Sequence, residues 1–400
     1  MTRTRALRKR ASHRLKAAIF RREALDLWLD QGSRRLGGIT RSAWLRLFPE
    51  RRQTIWPFEE LSARNHRGRA LILSLVPPED TGGSSRPARL AVELHRRGYA
   101  IDWRWALDIY PTPAALSHKS AGVEARSLQQ PAAVPEPDFV IVEAPHRAFT
   151  AILDRLPVRT PVLFEQIDAW TGDLASGWYR RDAEDGILAR ATALAATAEP
   201  LARELRERTG RPCVLLPNAV DSALFDPRTT HRRPAGLEAG RPTIVFVGAL
   251  WGDWIDLEAI DALARARPQA AIHLVGRCGD RPLPSHHNLH ILGERPRDEI
   301  PAWLQHADVA LVPFREGTVA TATSPLKAYE ALAMGCPVAA TATPEIFDTS
   351  GVIGGPGIDL TAATDAAAEL RISVETAIRF AEANSWSARV DQLLELVKPG

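Results

Sequence analysis

The sequence predicts an α/β protein of two parallel-sheet domains, joined by a linker and preceded by a basic helical extension. Three observations predict it. A strand–glycine-loop–helix–strand unit opens near residue 70, a second opens at Thr243 behind a Gly-, Pro- and charge-rich stretch, and the excess of positive charge is confined to the N-terminus. The boundaries fall at 1–67 for the extension, 68–228 for the first domain, 229–242 for the linker, 243–378 for the second domain and 379–400 for a terminal helical segment. The 400 residues, 45% of them hydrophobic, suffice for two cores of ordinary size.

The net charge of +3 conceals an asymmetry: residues 1–67 carry 17 Lys/Arg against 6 Asp/Glu, and the remainder 34 against 42. The basic excess therefore belongs to an appended element and not to a basic globular body. Arg3 to Asp30 reads as one long helix, with Leu7, Ala11, Leu15, Ala18, Leu25 and Leu29 on one face and Arg22 interrupting it. Trp44, Phe48, Trp56 and Phe58 follow. Two readings stay open: an in-plane helix on an anionic membrane surface, and a helical extension packed on the first domain or left as a leader. The segment lacks the Arg–aromatic interleaving of a known nucleic-acid module, so no nucleic-acid partner is expected. No uncharged apolar run approaches the ~20 residues of a membrane span and no signal peptide is present, so a cytoplasmic location is expected, with the inner face of the membrane as a peripheral address. Cys213, Cys278 and Cys336 match no disulfide or zinc spacing and are expected to pack as small hydrophobes.

In the first domain Ala70–Val76 is an apolar run of strand length. Its loop carries Gly82 and Gly83, the helix Arg86–Arg97 follows with Gly98 as its cap, and AIDWRW is the next strand. Neither G-x-G-x-x-G nor a P-loop is present, which counts against dinucleotide binding and an NTPase. Two more strands are expected at Phe139–Glu143 and Pro161–Phe164. Groups just past strand C-termini face ligand in such sheets, which places Glu143, Pro145 and His146 in one loop and Glu165, Asp168 and Trp170 in the next. A carboxylate there can act as a general base or cap the following helix; His146 is a candidate sugar contact or a surface residue.

The second domain opens with the strand Thr243–Gly248, then the loop with Trp251 and Trp254. Strands follow at Ala271–Gly276, Leu289–Leu292 and Asp308–Pro313, Leu289–Leu292 leading into the loop Gly293-Glu294-Arg295-Pro296. The stretch Ser324 to Thr341, SPLKAYEALAMGCPVAAT, reads as loop, helix and buried strand. Pro325 suits the first helical turn, Leu326, Tyr329, Leu332 and Ala333 form its apolar face, and Gly335 closes it. Lys327 and Glu330 share a face near the N-terminus, where a cation and free N–H groups suit phosphate and a carboxylate suits a sugar hydroxyl. An ordinary surface ion pair gives the same spacing.

This stretch resembles the donor-site helix of GT-B glycosyltransferases of the family-4 type, closest to the teichuronic-acid and xanthan glucuronosyltransferase-like branch. The resemblance extends over about Ala70 to Leu394. PNAVD at 217–221 is similar to the family's PNGVD, with Ala219 in place of Gly, and VLFEQIDAWTGD to its Asp-Asp-aromatic stretch, with Ala169 where a second Asp is common. The resemblance implies two Rossmann-like domains with a central cleft and a last helix crossing back to the first domain. It implies a hexosyltransferase that uses a nucleotide-sugar donor, UDP most of all, needs no cofactor or metal, and modifies a glycan or lipid-linked acceptor in envelope or exported polysaccharide synthesis. Asp168 is then the candidate base, with Glu165 as substitute. Lys327 would hold the diphosphate and Glu330 the ribose. Ser324, Pro325, Leu326, Gly248, Trp251, Gly293 and Arg295 would line the donor, and Gly82, Gly83 and His146 the acceptor or sugar. The family's usual first Glu, eight residues before Glu330, is Ala322 here, and no Arg or Lys stands in the donor loop after Gly248. Two other functions share the fold: a non-catalytic binding subunit and a sugar-nucleotide epimerase.

Overall fold

The computed structural model describes residues 66–78, 85–106, 117–120, 122–128, 133–170, 178–250, 252–279 and 281–398. The basic extension, all but its last two residues, and the candidate positions Gly82, Gly83 and Trp251 lie outside them. The chain divides into two compact units, one running to Ala195 and including Thr209–Pro212 and the residues from Glu395, the other formed by Ala196–Arg208 and Cys213–Leu394.

The first unit comprises β1 (Gly68–Ser74), α1 (Arg86–Arg96), β2 (Tyr99–Trp105), β3 (Ser117–Ser120), β4 (Val123–Ser127), β5 (Phe139–Val142), α2 (Arg147–Leu153), β6 (Val162–Gln166), α3 (Arg181–Arg190) and β7 (Ala193–Ala196). Its strands lie in the order β3-β4-β2-β1-β5-β6-β7. The pairs β1–β2, β1–β5, β2–β4 and β5–β6 are parallel, and β3–β4 is antiparallel. Helices cover such a sheet on both faces, so β1 and β5 read as continuous apolar runs and not as alternating ones. β2 contains charge because Arg104 and Asp102 neutralise each other inside it, Nε to Oδ1 at 2.6 Å, between the buried Trp103 and Trp105. The β3–β4 hairpin is absent from the sequence-based expectation, since SHKS and VEARS are polar; β3 forms the edge of the sheet, and β4, between it and β2, alternates buried with half-buried residues.

The second unit holds α4 (Glu199–Thr209, to Arg208), β8 (Val214–Leu215), β9 (Thr243–Val247), α5 (Leu257–Ala266), β10 (Ala271–Val275), β11 (Leu289–Gly293), α6 (Ile300–Gln305), β12 (Val309–Pro313), α7 (Thr318–Thr321), α8 (Leu326–Ala333), β13 (Val338–Thr341), β14 (Val352–Ile353), α9 (Leu360–Ala368), α10 (Val374–Ala383) and α11 (Trp386–Leu396, to Leu394). The main sheet, β11-β10-β9-β12-β13-β14, is parallel throughout.

The division differs from the boundaries expected at 228 and 379. Residues 213–220 are bonded to the terminal helices: Val220 N–H donates to Asn384 O (2.8 Å), Trp386 N–H to Val220 O (3.3 Å) and Arg389 Nε to Pro217 O (3.0 Å). The expected linker is also fixed to the second unit, with His231 N–H donating to Gln305 Oε1 (2.7 Å), Glu238 N–H to His273 Nε2 (2.9 Å), and Leu237 buried. Composition marks a turn-rich stretch but not the partners that hold it. Cys213 and Cys336 are buried; Cys278, on the loop after β10, is exposed and packs in no core. Among the described residues no helix is long and apolar enough to cross a membrane.

Candidate active site

In each sheet the chain direction of strand placement reverses beside the first strand, between β1 and β5 and between β9 and β12. Such switch points open crevices at strand C-termini. Glu143 lies at the first of these and Lys327 at the second.

In the second unit β9 ends in Gly248, β10 in Gly276 and β11 in Gly293, all with positive φ (141°, 154° and 71°). Backbone bonds link the row: Gly248 N–H to Val275 O and Gly276 N–H to Gly293 O, both 2.9 Å. A Cβ on Gly276 would stand 1.7 Å from the Gly248 carbonyl oxygen, so only glycine lets these backbones approach. Gly276 was missed in the sequence, although TIVFVG and AIHLVG end alike. Gly276→Ala should destabilise the protein by about 3 kcal/mol through forced backbone displacement, read as a lowered urea midpoint; an unchanged midpoint contradicts the packing described.

A Cβ on Gly248 would lie 2.9 Å from Lys327 Nζ. That ammonium sits 4.3 Å from the ring centroid of Phe246 and 5.1 Å from that of Phe314, at the ends of β9 and β12. Burial pushes its pKa down to about 8, with the charge of Glu330 opposing the shift. No carboxylate of the described residues lies within ion-pair distance of it. Instead Glu330 pairs with Arg297: Nη1 is 2.9 Å from Oε1, with the side chains 16% and 7% exposed. The surface pair of Lys327 with Glu330 therefore does not form. Arg297 leaves Nε and Nη2 buried without partners, and its guanidinium faces the Phe225 ring at 5.3 Å. Sequence reading missed Arg297 because 33 positions separate it from Glu330 in a loop with no helical spacing to announce the contact. Glu330→Gln should lower stability by about 1–3 kcal/mol by leaving that guanidinium uncompensated, measured as a reduced melting temperature without nucleotide.

Pro325 is the N-cap of α8, one position earlier than expected. Ser324 is buried, and its Oγ accepts from the Asn218 N–H (3.1 Å) while its carbonyl accepts from Asn218 Nδ2 (2.6 Å). The PNAVD segment thus fixes the start of the helix that carries Lys327. Ala219 has no positive φ, as its Cβ requires. Leu326 begins the helix, and Gly293 has open space where a Cβ would stand. Arg295 donates to the carbonyl of Glu294 (3.2 Å) and is not brought to Lys327 by any contact. The loop after β9, though lacking a cation of its own, receives Arg281 from the loop after β10: Nη1 donates to the carbonyls of Gly252 (2.9 Å) and Ile255 (3.0 Å).

In the first unit β1 ends at Ser74, and Glu143 and Glu165 stand at the ends of β5 and β6. Glu143 Oε1 accepts from the Ser74 hydroxyl and from the Leu75 N–H (2.9 Å). Burial and the charges of Glu165 and Asp168 push its pKa up to about 7. Glu165 is fully buried, and Arg86 Nη2, in the first turn of α1, donates to its Oε1 at 2.7 Å. Asp168, partly buried beyond β6, has its pKa raised to about 7 by desolvation. Its carboxylate is engaged by no cation among the described residues. His146 is the N-cap of α2: its Nδ1 accepts from the Ala148 N–H (3.2 Å), which places a proton on Nε2, and burial lowers its pKa to about 4. Its ring lies 6.2 Å from that of Trp178, which meets Trp170 edge-on at 5.3 Å. Among the described residues no group of three or more His, Cys, Asp or Glu is placed to hold a metal ion.

Residues 241–378 match the family description "Glycosyl transferases group 1". No curated protein matches the chain by sequence. Solved structures resemble it over most of its length. A sucrose-phosphate synthase from Thermosynechococcus elongatus superposes with a TM-score of 0.62 at 16% identity, covering 82% of this chain and 98% of that one. An E. coli protein described as trehalose-6-phosphate bound with UDP-2-fluoro glucose gives 0.57 at 12%, covering 82% and 99%. The catalytic domain of starch synthase IV from Arabidopsis thaliana, bound to ADP and acarbose, gives 0.57 at 12%, covering 83% and 99%. The fold is GT-B, two Rossmann-like parallel-sheet units, and its second unit carries a glycosyl transferases group 1 domain. Fold and domain together define a glycosyltransferase.

Proposed function

We propose that the protein transfers a hexose from a UDP-sugar to a hydroxyl of a glycan or lipid-linked acceptor in envelope or exported polysaccharide synthesis, as a member of the teichuronic-acid and xanthan glucuronosyltransferase-like branch. The uncompensated ammonium of Lys327 at the β9–β12 switch point carries this reading. A partly buried cation with no ion pair among the described residues suits a ligand that supplies negative charge, and the start of α8 adds backbone N–H groups suited to phosphate. UDP as the donor nucleotide is supported by the family resemblance and by the UDP-2-fluoro glucose bound to the E. coli neighbour.

In this mechanism Lys327 neutralises the diphosphate, Glu330 accepts from the ribose hydroxyls, and Arg297 orients Glu330 through their ion pair. Asp168 takes the proton of the attacking hydroxyl as its oxygen bonds to the anomeric carbon. The bond from that carbon to the diphosphate oxygen breaks, and its electron pair leaves with the nucleotide. The step inverts the anomeric configuration and uses no metal. The basic extension, 1–67, would hold the enzyme to an anionic membrane surface on the cytoplasmic side.

The test is UDP release from a panel of UDP-hexoses and UDP-glucuronate in EDTA, with alkyl glycosides as acceptors and the product's anomeric configuration read by NMR. Acceptor-stimulated release from one donor, with inversion, supports the proposal. Retention removes Asp168 as base. Epimerised donor without acceptor supports an isomerase, and no release from any donor supports a binding subunit.

A further inference from the structure

The helix that carries Lys327 starts without a cap of its own. Its N-cap, Pro325, has no N–H and makes no side-chain capping bond. Ser324, the residue before it, is buried, and Asn218 engages both its hydroxyl and its carbonyl, through the backbone N–H (3.1 Å) and through Nδ2 (2.6 Å). Asn218 is held in turn by the terminal helices. Arg389, buried on α11, donates through Nε to the Pro217 carbonyl (3.0 Å) and through Nη2 to the Asn218 carbonyl (3.5 Å) and to Asn384 Oδ1 (2.8 Å). Lys327 follows Ser324 by less than one helical turn, so a displaced helix start displaces its ammonium as well. That ammonium stands over the faces of Phe246 and Phe314, which belong to the sheet and the loop beyond it, not to α8.

We propose that Asn218 is a positioning residue for the donor diphosphate, acting through Lys327. It sets the first turn of α8 against the sheet, and Arg389 holds it in place from the terminal helix. Binding geometry at the charged group is therefore governed by side chains that supply none of the charge, as supporting residues do at other preorganised sites. This inference rests on the transferase reading for its donor, but the placing of Lys327 by Asn218 stands apart from it.

The experiment labels the full chain with [13C]lysine and reads the Cε–Hε correlations by NMR, first without nucleotide. The lysines are Lys9, Lys16, Lys119, Lys327 and Lys398, and the signal of Lys327 is the one lost in Lys327→Arg. Protons above an aromatic face resonate upfield, so in the wild type this signal should stand upfield of that of the exposed Lys398. In Asn218→Ala it should move toward the Lys398 position while Lys398 itself stays. A residue that only stabilised the fold would lower the melting temperature and leave the Lys327 signal of the folded protein in place; that result overturns the proposal. Ser324→Ala removes the hydroxyl acceptor and keeps the carbonyl, so it should move the signal less, in the same direction; it serves if Asn218→Ala does not fold, and an unmoved signal there overturns the proposal equally. UDP is then titrated into wild type and variant, and the variant should bind it about 10-fold more weakly. Equal UDP affinity with a displaced signal overturns the link to the donor. Binding of UDP by neither protein contradicts the transferase reading, while a displaced signal still upholds the placing of Lys327 by Asn218.

Discussion

Lys327→Ala should lower kcat/KM about 10²–10³-fold, the scale for removing one charge-stabilising group from a transferring centre. The fold should survive the change. Lys327 makes no ion pair among the described residues, and its contacts are the faces of Phe246 and Phe314. Removing a partly buried charge that makes no ion pair costs little stability, so a loss of activity with an unchanged melting temperature would separate binding from folding. The wild-type enzyme should also bind a nucleoside diphosphate less tightly as pH rises through about 8, because burial lowers the Lys327 pKa to that point and the neutral amine attracts no phosphate. Bound diphosphate would pull the value back up, so binding at high pH should be accompanied by proton uptake. Lys327→Arg should not retain full activity, since the smaller ammonium already stands close over Gly248, 2.9 Å from where a Cβ would be.

Asp168→Asn should reduce kcat about 10²–10⁴-fold if it is the general base of an inverting transfer. The rate of the wild type should rise with pH through about 7 as Asp168 loses its proton, then fall above about 8 as Lys327 loses its charge. The variant should lose the acidic limb and retain the basic one. Its stability has the opposite sign. A carboxyl whose folded pKa is raised contributes stability present below its ordinary value of 3.8 and lost as pH rises through about 7. Above pH 7 the wild type therefore holds an ionised, poorly solvated carboxylate, and Asp168→Asn should be the more stable protein by about 1–3 kcal/mol. A gain in stability with a loss of rate is the pattern of a group kept for function.

The parallel strands were legible because each is an apolar run of sheet length bounded by Gly or Pro. β1, β5, β9, β10 and β12 all lie within two residues of their expected bounds. SPLKAYEALA was legible as a helix from its apolar face and its Pro and Gly ends. What stayed hidden was pairing across sequence. Arg297 meets Glu330 through a loop, Arg86 meets Glu165 across 79 positions, and Ser74 meets Glu143 across 69. Strand order decides each of these contacts, and no periodicity encodes strand order. The β3–β4 hairpin stayed hidden for a different reason: an edge strand with a polar face lacks the apolar signal by which buried strands announce themselves. His146 shows the converse limit. Its place after β5 was readable, but its use of Nδ1 to cap α2 depended on where that helix begins.

The central claim is that Lys327 marks a nucleoside diphosphate site. A thermal-shift panel of UDP, GDP, dTDP, ADP and CMP on wild type and Lys327→Ala tests it most directly. A ligand at a hundred times its dissociation constant adds about 2.7 kcal/mol, which a melt resolves. UDP should raise the wild-type melting temperature, CMP, with one phosphate, should not, and the variant should respond to none. A UDP shift of equal size in both proteins, or no shift from any nucleotide in the wild type, would contradict it.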